Sequence, residues 1–185
     1  MMRHLSRQSG LILIVSLILL LILTLLTLTA LQTSTLEVKM RTNDLSRSVA
    51  FQAAESGLRA AEQFITSSDP VFNPIKLIAG PFQGTDCVAG LCPLTMTPLW
   101  SVSTFNWISK GRALSVNLSN SVQTPRTVIE MLSHTPSSDG NGVEAIFRIT
   151  TRAWGMDSNT VVQLQSYFSL KSENSRRVAW REIVN

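Results

Sequence analysis

The stretch from Leu11 to Leu36 carries no charged residue, no Gly and no Pro. Leu and Ile dominate it, and its polar residues are Ser, Thr and one Gln. A helix needs about 20 consecutive apolar residues to cross the hydrocarbon core of a bilayer. The stretch therefore predicts a membrane-spanning helix over residues 11–36, and the rest of the chain must fold beside a membrane.

Basic residues flank this helix on its N-terminal side. Arg3 and Arg7 lie just before the apolar stretch, and basic flanks of this kind stay in the cytoplasm. The residues that follow the helix are therefore expected on the other side of the membrane. Secretory signals have a shorter apolar core, of about 7–15 residues, and are cut after it. An uncleaved signal anchor accounts for these features and implies no particular function.

The predicted helix continues beyond the membrane over residues 37–67. Ser67-Ser68-Asp69-Pro70 is a typical helix stop. Before it, small and apolar residues recur at helical spacing and form one stripe. The members of this stripe are Val49, Ala50, Ala53, Ala54, Gly57, Leu58, Ala61, Phe64 and Ile65. We expect the stripe to be buried against a sheet formed by the rest of the chain.

Residues 68–185 are expected to form a head outside the cytoplasm. Residues 68–111 are rich in Pro, Gly, Ser and Thr, which predicts a loop region. Apolar and β-branched residues follow, and three or four antiparallel strands are predicted between residues 112 and 171. Thr135–Gly142 is a predicted flexible loop, Gly155–Asn159 a hairpin loop, and residues 172–185 a tail. The fold class is α+β, with a long helix packed on a small antiparallel sheet.

The two cysteines, Cys87 and Cys92, lie close together in the loop region. A structural zinc site needs four ligands, and the sequence adds only His4 and His134 as histidines. A disulfide that closes a small loop is the favoured interpretation, and it agrees with an oxidising compartment. Two reduced, partly buried thiols are the alternative. No metal or cofactor site is predicted.

No motif for catalysis is present. The sequence lacks a Gly-x-Ser-x-Gly turn, a P-loop and a His-Glu-x-x-His pair, and we interpret His134 as an exposed turn residue. The C-terminal basic residues are interpreted as a solvated surface or a subunit contact, and nucleic-acid binding is not favoured. The four tryptophans are expected to pack in the core or the loops, with partner anchoring as the alternative. These basic residues and tryptophans are Lys171, Arg176, Arg177, Arg181, Trp100, Trp107, Trp154 and Trp180.

The sequence around Gly10 has a feature that a plain signal anchor does not need. A polar, basic leader of ten residues ends at Gly10, and the apolar stretch begins at Leu11. This arrangement resembles the type III signal of type IV pilins and pseudopilins. The resemblance implies that an inner-membrane prepilin peptidase cuts between Gly10 and Leu11 and methylates Leu11.

Two further segments narrow the resemblance. The stretches Leu36–Asn43 and Ala50–Glu62 look like the N-terminal region of PilX-type minor pilins. The segment from Arg148 to Tyr167 and the ending Arg177-Val178-Ala179-Trp180-Arg181-Glu182 also resemble these chains, less specifically. This implies a minor pilin of type IV pilus assembly, in a tip or initiation complex, with roles in twitching motility and adhesion. The implied partners are other minor pilins, the major pilin, the prepilin peptidase, the inner-membrane assembly platform and a tip adhesin. The implied locations are the inner membrane, with a periplasmic head, and then the surface fibre.

One position departs from the usual pilin pattern. Most pilins carry Glu at the fifth mature position, where this chain has Val15. A charged side chain in the apolar core costs about 2.5–3.5 kcal/mol on insertion scales, so such a Glu needs the N-terminal amine of a neighbouring subunit. A subunit without it suits the first position of a fibre. A plain signal anchor would also account for Val15. The alternative functions are a type II secretion pseudopilin and a signal-anchored periplasmic binding domain.

Overall fold

The structure is a computed structural model that describes residues 9–67, 72, 77, 79–114, 120–136, 143–171 and 174–184. The chain divides into two compact units, Met1–Asp44 and Leu45–Asn185, which are described separately below. Helix α1 spans Ser9–Thr66 and contributes residues to both. The absence of Gly and Pro between Leu11 and Ser56 lets this helix form without a break.

The C-terminal unit contains six strands, which are β1 Leu91–Cys92, β2 Arg112–Ala113, β3 Arg126–Pro136, β4 Val143–Trp154, β5 Val161–Leu170 and β6 Arg176–Ile183. They form one sheet in the order β1-β3-β4-β5-β6, and β2 also pairs with β3. Strands β3 to β6 pair antiparallel with their neighbours, whereas β1 runs parallel to β3. The α+β arrangement of a long helix packed on a sheet is confirmed, and the sheet is mixed because of β1.

The main core lies between α1 and one face of this sheet. The helix supplies small side chains, which let it approach the strands closely, and the strands supply the large ones. Fully buried helix residues include Ala50, Ala53, Ala54, Leu58 and Ala61, and fully buried strand residues include Ile129, Phe147, Ile149 and Leu164. The predicted stripe is therefore the packing face of the helix.

A second apolar cluster covers part of the opposite face. It contains Trp100, Trp107, Trp154 and Val128 together with Cys87 and Cys92, which are joined by a disulfide. Two 3-10 helices, Pro81–Gln83 and Leu99–Ser101, and one helical turn, Trp107–Lys110, give the predicted loop region some regular structure. Gly90 has φ +82°, a conformation that favours Gly, and its carbonyl accepts the backbone N–H of Ile129 at 2.7 Å.

Several local predictions differ from the structure. The predicted tail contains β6, which alternation does not reveal because an edge strand is exposed on much of both faces. The loop predicted at Thr135 starts later, since β3 reaches Pro136, and residues 137–142 lie outside the described part. His134 is an exposed residue of β3, paired with Ala145, and not a turn residue. At the start of the predicted sheet region, only Arg112–Ala113 form a strand in the described residues, Leu114 follows it outside the strand, and residues 115–119 are not described.

Gly57 marks the closest approach of α1 to the strands. A Cβ atom there would lie 2.7 Å from Thr151 Cγ2 and 3.2 Å from Pro125 Cβ. Gly57→Ala gains about 1 kcal/mol of helix propensity but overpacks the core, which costs about 1–3 kcal/mol. We predict a net loss of about 1 kcal/mol in the free energy of unfolding, measured by chemical denaturation of the full-length protein in detergent micelles.

A second substitution controls this prediction. Thr151→Ser removes the clashing methyl group and keeps the hydroxyl that lies 2.9 Å from Thr127 Oγ1. Gly57→Ala should therefore be neutral or stabilising in the Thr151→Ser background. An equal loss in both backgrounds would contradict the close-approach explanation.

Candidate assembly site

The apolar segment, residues 11–36, is exposed along its whole length within the N-terminal unit. α1 is long and apolar enough to cross a membrane. Such a segment fits a membrane anchor, because lipid can bury the Leu and Ile side chains that no part of the described protein covers. The exact ends of the membrane-spanning part stay predictions.

The hydroxyl groups of the apolar segment are compatible with lipid. Each of seven Ser and Thr side chains donates a hydrogen bond to a backbone carbonyl three or four residues earlier, at 2.6–3.1 Å. A polar group left without a partner in hydrocarbon is costly, and these local bonds avoid that cost. The residues are Ser16, Thr24, Thr27, Thr29, Thr33, Ser34 and Thr35.

The residues predicted for processing lie at the start of this segment. Gly10 and Leu11 belong to the first turn of α1, which begins at Ser9. Val15 lies one turn further along, and its side chain is exposed. Arg3 and Arg7 lie outside the described residues.

In the C-terminal unit, α1 is joined to β6 by two ion pairs with one arginine. Arg177 donates from Nε to Glu62 Oε1 at 2.7 Å and from an Nη to Glu55 Oε1 at 2.9 Å. Glu55 and Glu62 are seven residues apart, so they lie on one side of the helix two turns apart. Burial lowers the pKa of Arg177, but its hydrogen bonds to Glu62 and Glu55 outweigh this and raise it.

The contact between α1 and β6 extends along the strand. The rings of Phe51 and Trp180 meet edge to face, with 6.1 Å between centroids. Further along, Arg47 pairs with Glu182 at 2.7 Å. We call this set the α1–β6 interface, which consists of Arg47, Phe51, Glu55 and Glu62 on α1 and Arg177, Trp180 and Glu182 on β6.

The hairpin between β4 and β5 is attached to α1 at a different point. Ser46 donates from Oγ to Asp157 Oδ2 at 2.7 Å and accepts the backbone N–H of Met156 at 3.1 Å. Asp157 also accepts hydrogen bonds from the Thr160 hydroxyl and from the backbone N–H groups of Thr160 and Asn159. These bonds, led by the one from Ser46, lower the pKa of Asp157 to about 2. A carboxylate so stabilised fixes the hairpin against the helix.

On the opposite face of the sheet, a buried ion pair fixes the loop region. Glu130 is fully buried and receives hydrogen bonds from Arg148 Nε at 2.8 Å and Arg148 Nη2 at 2.9 Å. The indole N–H of Trp100 donates to the same carboxylate at 2.8 Å. Trp100 is thereby attached to β3, and with it the segment that follows the disulfide.

The sequence-predicted site residues do not form one cluster. Gly10, Leu11 and Val15 belong to the apolar segment, whereas the Cys87–Cys92 disulfide lies in the second apolar cluster of the C-terminal unit. Within the described residues, no group of three or more His, Cys, Asp or Glu side chains is placed to hold a metal ion. Of the predicted basic surface, Arg177 contacts glutamates of α1, and Lys171 pairs with Glu144 at 3.0 Å.

Sequence analysis missed the α1–β6 interface and the Glu130–Arg148 pair. The seven-residue spacing of Glu55 and Glu62 was a detectable signal, because it places two acidic groups on the buried side of an amphipathic helix. Their cation lies more than 110 residues later, and no local pattern identifies it.

Two stretches of the chain, which overlap and together run from residue 9 to residue 170, match known protein families. Residues 9–59 match the family described as PilX N-terminal, and residues 48–170 match the family described as type IV pilus assembly protein PilX C-term. These matches include α1 and β1 to β5, and β6 lies beyond them. The chain has no significant match among curated proteins or among solved structures.

Replacing Arg177 tests the α1–β6 interface. Arg177→Met leaves the partly buried Glu62 without its cation and leaves Glu55 with only the exposed Arg59, whose Nε lies 3.1 Å from it. Removal of one partner from a fully buried pair costs about 3–5 kcal/mol. Because Arg177 is 21% exposed, we predict a smaller loss, of about 1–3 kcal/mol. The measurement is chemical denaturation of the full-length protein in detergent micelles.

Arg176→Met is the matched control, since Arg176 is the exposed neighbour on the same strand. It should change the free energy of unfolding by less than about 0.5 kcal/mol. Equal effects of the two substitutions would show that Arg177 does not hold β6 on the helix.

The contact between Ser46 and Asp157 predicts that the stability of the fold decreases at acid pH. Because the pKa of Asp157 is lower in the folded state, about 2, than its ordinary value of 3.8, its ionised carboxylate stabilises the fold at pH values above 3.8. This stabilisation is lost as the pH falls from 3.8 towards 2. Ser46→Ala removes the hydrogen bond that lowers the pKa of Asp157 most, so the titration midpoint of Asp157 should rise from about 2 towards 3.8. The midpoint is measured by NMR of the side-chain carboxyl carbon. Ser48→Ala, at an exposed position, should leave it unchanged. A midpoint that Ser46→Ala does not move would refute the assignment.

Proposed function

The chain belongs to the PilX family of type IV pilus assembly proteins, and we propose that it is a minor pilin of the tip or initiation complex that primes fibre polymerisation. The family assignment establishes a part in type IV pilus assembly. The position in the fibre is our proposal, and Val15 is the observation that supports it most.

In the proposed pathway, the chain first resides in the inner membrane. The apolar segment spans the bilayer with Arg3 and Arg7 on the cytoplasmic side, and the C-terminal unit lies in the periplasm. Prepilin peptidase cuts between Gly10 and Leu11 and methylates the new N-terminus at Leu11. The cut leaves the whole apolar segment on the mature protein, so the segment can pass from lipid into contact with the helices of other subunits.

Val15 supports a place at the start of the fibre. A Glu at this position is tolerable in an apolar setting only when the N-terminal amine of a neighbouring subunit neutralises it. The first subunit of a fibre has no earlier neighbour to supply that amine. With Val15, this chain offers its own amine to a following subunit and carries no carboxylate that needs one in return.

The proposed role is structural and does not involve catalysis. The strong polar contacts of the described C-terminal unit join its own elements, as with Glu55 and Arg177 or Glu130 and Arg148. The proposed partners are other minor pilins, the major pilin, the assembly platform and a tip adhesin. Twitching motility and adhesion would depend on the chain through the fibres that it helps to start.

Substitution of Val15 tests the proposed position. Val15→Glu places a carboxylate in the membrane without a partner at the first position, at a cost of about 2.5–3.5 kcal/mol. We expect the number of surface fibres per cell, counted by electron microscopy, to fall at least about tenfold in a strain that carries this variant as its only copy. Protein level in the membrane should be measured in parallel by immunoblot.

Val15→Leu is the control, because it keeps the position apolar, and it should leave the number of fibres unchanged. Normal fibre numbers with Val15→Glu, at a normal protein level, would contradict a role as the first subunit. The chain would then be a subunit that enters the fibre at other positions.

A further inference from the structure

Arg126 and Arg152 lie directly opposite each other on β3 and β4. Their neighbours Thr127 and Thr151 face Gly57 of α1, so the two arginines belong to the opposite face of the sheet. Like charges in this arrangement repel each other. In the part of the chain that the structure describes, the Nε atoms of both arginines are buried and have no hydrogen-bond partner.

Two other arginines of the same sheet, Arg148 and Arg177, have internal carboxylate partners. Arg148 lies on the same face as Arg152, four residues earlier on β4, and is paired with Glu130 at 2.8 Å. Arg177 is paired with Glu55 and Glu62. Among the described residues, Arg152 forms no salt bridge, and burial lowers its pKa. The fold thus holds a partly buried cation whose counter-charge is not supplied by its own described side chains.

Arg152 also lines an open cavity of about 400 Å³ at the end of the sheet. Its polar lining consists of Arg47, Arg152, Asn159, Gln163 and Glu182. Glu182 is already paired with Arg47 at 2.7 Å. The cavity wall therefore carries one positive charge in excess, and that charge is Arg152.

Two tryptophans hold the guanidinium group in place. The rings of Trp154 and Trp107 have their centroids 5.8 and 6.0 Å from the central carbon of the Arg152 guanidinium. Aromatic contacts of this kind favour a cation. They also leave the N–H donors of the guanidinium plane for a planar acceptor, such as a carboxylate bound by two parallel hydrogen bonds.

We propose that this cavity is a binding site for a single carboxylate group, with Arg152 as its principal ligand-binding residue and the amides of Asn159 and Gln163 in its wall. A monoanion matches the single excess charge, whereas Glu182 in the wall disfavours a phosphate dianion. The carboxylate belongs either to an acidic side chain of a partner protein or to a small free acid. The proposal does not depend on the position of the chain in a fibre.

The first test measures binding of a small carboxylate. Propionate is titrated into the full-length protein in detergent micelles at constant ionic strength, with chloride as the balancing anion, and tryptophan fluorescence follows Trp107 and Trp154. Saturable binding is expected, and Arg152→Met should weaken it at least tenfold. Arg176→Met, on the exposed strand β6 and outside the cavity lining, should bind as the wild type does.

A melting experiment separates binding from a structural role. Arg152→Met removes a cation that no described carboxylate neutralises, so its melting temperature should equal or exceed that of the wild type. Arg148→Met instead leaves Glu130 buried without its cation and should lower the melting temperature by roughly 5–15 °C. A loss for Arg152→Met as large as that for Arg148→Met would overturn the proposal.

Incorporation into fibres identifies the source of the carboxylate. If it is an acidic side chain of a partner protein, Arg152→Met should reduce the amount of the chain in sheared fibres at an unchanged membrane level. If it is a free acid, propionate binding should be lost while incorporation stays normal. The absence of saturable propionate binding to the wild type, together with normal incorporation of Arg152→Met, would refute the site.

Discussion

The α1–β6 interface is the contact on which the architecture of the C-terminal unit depends. It joins the start of this unit to its end, and it places Arg177 between Glu55 and Glu62 of the helix. Small residues on α1 let the strands come close, and the ion pairs and the Phe51–Trp180 contact hold the outer strand in place. Two of the segments that resemble PilX-type chains, Ala50–Glu55 and Arg177–Glu182, are therefore partners in space.

The charged residues of the sheet fall into two groups with different consequences. Arg148 and Arg177 are satisfied within the fold, and their carboxylate partners fix the loop region and β6. Burial of such pairs is tolerable because each charge has a partner with good geometry. Arg152 has no such partner among the described residues, although it lies on the same strand as Arg148. A fold that neutralises Arg148 and Arg177 but leaves Arg152 beside a cavity has room for an external carboxylate.

Much of the fold could be predicted from sequence, because its strongest signals are local. The uninterrupted apolar stretch predicted α1, the small-residue stripe predicted its packing face, and alternation indicated β4 and β5. Strand β6 could not be recognised from sequence. Its two residues that contact α1, Arg177 and Trp180, are three positions apart, so they do not follow the two-residue alternation of an ordinary strand. The parallel pairing of β1 with β3 could not be predicted either, because a strand of two residues is too short to show an alternation of apolar and polar residues. Ser46 and Asp157 are 111 residues apart, so their contact is a property of the tertiary structure alone.

The apolar segment links this architecture to pilus assembly. Its hydroxyl groups are satisfied by its own backbone, so it can lie in lipid or among other helices, and a cut after Gly10 would leave it intact. The most direct test of the account is the N-terminus of the mature protein, determined by mass spectrometry in cells with and without prepilin peptidase. The account predicts a start at Leu11 carrying N-methylation when the peptidase is present, and an uncut chain when it is absent. An intact leader in peptidase-competent cells would contradict it and leave the chain an ordinary signal-anchored protein.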